Sequence, residues 1–187
     1  MRVLLATSLV ATALIGAPAP AKTDLPPHAC IVQRTDRLSR PELLDLVKSG
    51  FAPTTNAGKT TKQAVGEVIT SCVAKYGWGK AKQDIAIRYF SARVLHDDAI
   101  VQGGKFAITD AMMTAYVASL DATARASYAR GQVTPEMNRA AFAHLQSANI
   151  VLEGRPSEEI QAIGQALNSG VYAIIVEQES IQAYAGS

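Results

Sequence analysis

His96-Asp97-Asp98 places an imidazole and two carboxylates in three consecutive positions. Such groups can ligate a divalent metal or pass a proton in general acid–base chemistry. Adjacent residues of a helix point in different directions, so the three converge only where a helix ends. The pattern predicts an end here, before Ala99-Ile100-Val101. A metal would still need ligands from elsewhere, and His28 and His144 are the only other histidines. The cluster therefore reads first as a solvated helix end. Its catalytic alternative is a small helical hydrolase or lyase using His96 and Asp97.

A second segment, Lys75-Tyr76-Gly77-Trp78-Gly79-Lys80-Ala81-Lys82, joins the only Trp to a Tyr, three Lys and two Gly. Aromatic faces beside cations suit an anionic or sugar-like ligand, or an anchor for a partner protein. Tyr76, Trp78, Lys80 and Lys82 are therefore the candidate binding residues. The competing structural role for Trp78 is a core plug where two helices turn.

Other chemistry finds no purchase. The chain lacks a Gly-x-Ser-x-Gly elbow, Cys-x-x-Cys, Cys-x-x-Cys-His and a Gly-rich phosphate loop, so no metal or cofactor is expected. Glu158/Glu159 reads as helix capping and Glu177/Glu179 as a wet helix face. Met112, Met113 and Tyr116 at helical spacing read as core. The two cysteines, Cys30 and Cys72, stand 42 residues apart without a redox motif and are expected to pair in an oxidising compartment.

These residues are positioned by helix after helix. Ser39-Arg40-Pro41-Glu42 carries a capping-box pattern and opens a helix that Gly50 ends. Phe51 to Gly58 reads as a loop, and Thr60 or Thr61 opens the next helix, which stops at Gly77. A third helix runs from Lys80 to about Asp97. It is apolar on two sides and therefore central, and its Asp84 and Arg88, four apart, are expected to form a buried ion pair. Thr109 or Asp110, then Asp121, Thr134 and Ser157, mark later starts. Val171 to Val176 has strand propensity, yet its helical period and the lack of a pairing partner favour helix. The fold class expected is all-α, an irregular bundle of six to eight short helices.

The chain opens with Arg2, an apolar run Val3 to Ile15, and the small-x-small site Ala19-Pro20-Ala21. This predicts a secretory signal peptide over 1–21, cleaved after Ala21, and one mature helical domain over 22–187 without a membrane anchor. The mature domain has 17 Lys/Arg against 16 Asp/Glu, a balance that argues against a nucleic-acid partner. The charges are unevenly spread: 13 basic against 8 acidic over 22–105, and 4 against 8 over 106–187, as if the halves pack on each other. The functional expectation is a non-enzymatic binding or accessory module of the periplasm, with an unknown protein or small-molecule partner. A carrier of a small apolar ligand in the bundle core is a further alternative. Whether His96, Asp97, Arg88 and Trp78 line one cleft is the geometry that separates these readings.

Overall fold

The computed structural model describes residues 26–187, and the expected signal segment 1–21 with its cleavage site lies outside them. A 3-10 turn, Pro27–Ala29, leads into α1 (Cys30–Arg34), α2 (Arg40–Lys48), α3 (Asn56–Tyr76) and α4 (Lys80–Gly104). α5 (Asp110–Ser119), α6 (Ala122–Ala129), α7 (Pro135–Ser147) and the long α8 (Ser157–Ala185) follow. The described residues contain no strand, so the chain is an all-α irregular bundle as its periodicity requires.

Local chemistry explains most boundaries. Thr109, Asp121 and Thr134 each accept a hydrogen bond from the backbone N–H three residues on, which satisfies one orphan donor of each first turn. Thr55 does the same for Gly58, so α3 begins at Asn56, four or five residues before the expected Thr60 or Thr61. Gly77 ends α3 in the left-handed conformation at φ 62°. The capping box at Ser39 does not close: its side chain makes no capping bond, and Glu42 instead accepts from Thr61 Oγ1 across the α2–α3 contact. Pro41 in the first turn still begins α2 there.

The expected end of the third helix at Asp97 is wrong. α4 continues for two more turns, to Gly104. Ala99 is buried against α8, and Gln102 donates to Asp98 one turn earlier, so burial and side-chain bonding carry the helix past the polar cluster. Val171 to Val176 lies wholly inside α8, and Tyr172 alone of the six is not fully buried. Their β-branched character is outweighed by the apolar area that the helix hides.

α4 and α8 form the most extensive helix pair. They run antiparallel, since Tyr184 meets Trp78 at the start of α4 while Gly170 meets Ala99 near its end. Two hydrophobic clusters flank this pair. One joins Ile31, Leu43, Leu46, Val65, Trp78, Ala86, Phe90 and Val94 around the disulfide. The other joins Ile108, Met113, Tyr116, Tyr128, Leu145, Ile163, Leu167 and Val171. α4 serves the first with its N-terminal part and the second with Ala99, which is why it lacks a single apolar stripe. Gly170 permits the tight contact between α8 and its neighbours: a Cβ there would sit 2.1 Å from Met113 Sδ and 3.3 Å from the Cβ of Ala99.

Cys30 and Cys72 are joined, with Cα atoms 6.1 Å apart, and both are buried. The bridge ties the first residue of α1 to α3. The 42-residue separation sets a chain-entropy contribution of about 4 kcal/mol. The uneven charge is used between the halves: Arg88 pairs with Glu179, Arg93 approaches Glu177, and His96 bonds Glu177 and Asp110. No described helix is long and apolar enough to cross a membrane.

Candidate functional site

Polar residues of α4 face two ways at the level of His96. On one side lies a groove between α1, α2 and α4, of about 790 Å³. Val32, Pro41, Leu44, Val94, Ile100 and Val101 give it apolar walls. Val101 is 64% exposed, an unusual position for a large aliphatic side chain. Arg40, Arg93, Asp97, Asp98 and Gln102 line the same groove.

Those charges are ordered. Asp97 receives Arg40 of α2 on Oδ2 and Arg93 of its own helix on Oδ1 at 2.8 Å. Two guanidinium groups from different helices thus converge on one carboxylate beside an apolar wall. Asp98 takes Lys48 at 3.3 Å and Gln102 at 3.1 Å on its two oxygens. A second depression, of about 460 Å³, shares Asp98 and Gln102 with the groove and continues towards Phe106 and Ala166.

On the other side His96 is sealed in the bundle, its side chain 7% exposed. Nδ1 lies 2.9 Å from Glu177 Oε1 of α8, and Nε2 lies 2.8 Å from Asp110 Oδ1 in the first turn of α5. An ionised carboxylate can only accept, so both bonds form fully when both ring nitrogens carry hydrogen, that is, in the imidazolium. Burial is the largest single influence and opposes that charge. The hydrogen bond and charge of Glu177, followed by those of Asp110, together outweigh it and raise the imidazole pKa above 6.5. Glu177 Oε2 also stands 3.9 Å from Arg93, so one relay of charges, Asp110–His96–Glu177–Arg93–Asp97–Arg40, runs from the buried imidazole to the groove. Tyr89 stands within this field: burial, and then the charge of Glu177, push its hydroxyl pKa up.

Measured against known proteins, the chain matches no family model, no curated protein and no solved structure.

The residues expected to share a cleft do not. Asp97 lines the groove, His96 lies behind it with both nitrogens engaged, and Arg88 is on a different surface. The expected buried Asp84–Arg88 pair is not formed. Both residues are exposed; Asp84 pairs with Lys80 at 2.7 Å, and Arg88 crosses to Glu179 at 2.7 Å. The stripe that carries them sits on the outer side of α4, where Lys80 is one turn from Asp84 and α8 presents Glu179.

Trp78 is likewise not an exposed anchor. It is 5% exposed, stacks on Tyr76 with ring centroids 5.8 Å apart, and donates its indole N–H to the Tyr184 hydroxyl at 2.6 Å. The flanking glycines serve the turn between α3 and α4, and the ring fills the space below it. Lys80 is spent on Asp84, and Lys82 lies over the Tyr184 ring at 5.4 Å. Tyr76, Trp78 and Lys82 therefore assemble a structural corner around Tyr184, and Lys80 stays on the exposed face with Asp84. His28 packs edge-on to Tyr89 and Tyr184 beside it, and burial lowers its pKa.

The residues that sequence reasoning missed are Arg40, Arg93, Asp110 and Glu177. Arg93 and Asp97 stand four apart, a spacing visible in the sequence. The distances from Asp97 back to Arg40 and from His96 forward to Glu177 are legible only in the fold.

Proposed function

We propose that the protein is an exported, non-enzymatic binding module whose working surface is the α2–α4 groove, and that its ligand has an apolar body and an anionic head. One observation carries this reading: Arg40 and Arg93 converge on a single carboxylate, Asp97, beside an apolar wall. A guanidinium pair arranged around one oxyanion is the geometry that receives a carboxylate or phosphate group. The volume falls in the range of small-molecule sites. Arg40 is 61% exposed and can turn from Asp97 to a ligand without unfolding anything.

The buried disulfide supports the exported part of this reading, since such bridges persist in oxidising compartments. Two observations favour binding over hydrolysis. His96 has both nitrogens committed to carboxylates, and Asp97 is held by two arginines, so neither offers a free base to a substrate. The groove is open to solvent between helices, which favours a surface ligand over cargo carried inside the bundle.

Dodecanoate, titrated below its micellar concentration into the isotope-labelled protein, should shift the methyl signals of Leu44, Ile100 and Val101, whereas dodecyltrimethylammonium should not. Val101→Glu should weaken dodecanoate binding about tenfold or more, because burying a valine side chain is worth at least about 1.5 kcal/mol. The mutated side chain is mostly exposed, so the fold should be unaffected. Equal binding of the two amphiphiles, or an unchanged affinity in Val101→Glu, would defeat this reading.

A further inference from the structure

The binding groove and the buried imidazole share an intermediary. Arg93 bonds Asp97 at 2.8 Å on the groove side and stands 3.9 Å from Glu177 on the other. Glu177, 12% exposed, is held at 2.9 Å by His96. We propose that His96 is a proton-operated latch on the groove: when the imidazole loses its proton, Glu177 recruits Arg93, and Arg93 releases Asp97 and withdraws its charge from the groove. This regulation rests on the reading of the groove as a binding site.

The physical reason is the accounting of a buried carboxylate. With His96 charged, Glu177 has a short, charge-assisted partner, and Arg93 is left to Asp97. Neutral imidazole carries one N–H. Its other nitrogen then presents a lone pair to a carboxylate oxygen, which is repulsive. That nitrogen is Nε2, since half-exposed Asp110 can turn to water. Nδ1 keeps its hydrogen on Glu177, which retains a neutral hydrogen bond but loses its charged partner while nearly buried, a costly state. The nearest remaining cation is Arg93, and closing from 3.9 Å to bonding distance takes a side-chain rotation. Asp97 keeps Arg40, its link across the groove to α2, but loses the guanidinium of its own helix. The proton leaves by way of Asp110, whose side chain is 54% exposed and opens the inner bond to water.

The groups facing the imidazole account for the direction. α8 presents Glu177 and α5 presents Asp110, while α4 itself contributes Arg93, Asp97 and Tyr89. α2 joins through Arg40 on Asp97, and the 3-10 turn contributes His28, which packs on Tyr89. The two carboxylates in direct contact favour the charged ring. The latch therefore stays closed at and below the ordinary imidazole value and opens only as pH rises through the raised, folded-state value. The stabilisation follows the same sign: the folded-state value is raised, so its contribution is full below about 6.5 and is lost as pH climbs through the folded value.

Nuclear magnetic resonance of the full mature chain without ligand tests this. The ring signal of His96 should titrate with a midpoint above 6.5, and the methyl signals of Ile100 and Val101 should shift with the same midpoint. Asp110→Asn removes one carboxylate from a half-exposed position, so the fold should survive, and both midpoints should fall together. Glu177→Gln should leave the groove methyls insensitive to pH. Groove methyls that stay flat while His96 titrates would overturn the latch, as would methyls whose midpoint ignores Asp110→Asn. A ring that does not titrate up to pH 9 would overturn it equally. Dodecanoate binding is read separately: coupled methyls without binding would leave the latch and remove the ligand reading, whereas pH-independent methyls with binding would do the reverse.

Discussion

Tyr184→Phe isolates the interaction that decides the role of Trp78. The substitution keeps the ring that packs on Trp78 and His28 and deletes only the hydroxyl accepting the indole N–H at 2.6 Å. Packing terms nearly cancel, so the change in stability is the cost of a buried donor left unpaired. That cost is about 1–3 kcal/mol, and the half-buried setting of Tyr184 admits some water, which points to the lower half, about 1–2 kcal/mol. For a domain of this size each kcal/mol moves the midpoint by roughly 2–4 °C, so a fall of about 2–8 °C is expected. Calorimetry or circular dichroism reads it. The single Trp supplies a local check: wild-type emission should be blue-shifted and iodide should not quench it, with a change in emission in the variant. A double-mutant cycle with Trp78→Phe should return a coupling of about 1 kcal/mol, since the double variant has no bond left to lose. Unchanged Tm and emission in Tyr184→Phe would refute the account, and iodide quenching of the wild type would place Trp78 at the surface after all.

Two more outcomes follow from the fold. Replacing Cys30 and Cys72 with Ala together should cost about 4 kcal/mol in chemical denaturation, and thiol labelling of the unfolded, unreduced wild type should find no free thiol; a loss under 1 kcal/mol would mean that packing alone holds α1 on α3. Arg88→Met should change stability by less than about 1 kcal/mol, because its pair with Glu179 is solvent-exposed on both sides; a loss of 3 kcal/mol or more would restore a buried pair.

The helices themselves were legible because each is written locally. Thr109, Asp121 and Thr134 carry oxygens that reach the next turn's N–H groups, and Gly77 adopts a backbone conformation that other residues rarely do. The all-α class follows from such signals. The Cys30–Cys72 bridge follows from there being only two cysteines. Where the sequence misled, the deciding partner was far along the chain. α4 passes through His96-Asp97-Asp98 because α8 buries its tail, and Arg88 takes Glu179, 91 residues away, in preference to its near neighbour.

Composition and periodicity thus determined which segments are helical and that the chain buries one face of each. They could not determine which residue of an amphipathic helix faces which neighbour, because a rotation of one residue, about 100°, leaves the local pattern almost unchanged while exchanging every tertiary partner. Trp78 becomes a core residue only because the antiparallel α8 delivers Tyr184 beneath the turn. His96 acquires two carboxylates only because α5 and α8 arrive from opposite sides. The groove and its arginine pair exist only because α2 is laid across α4.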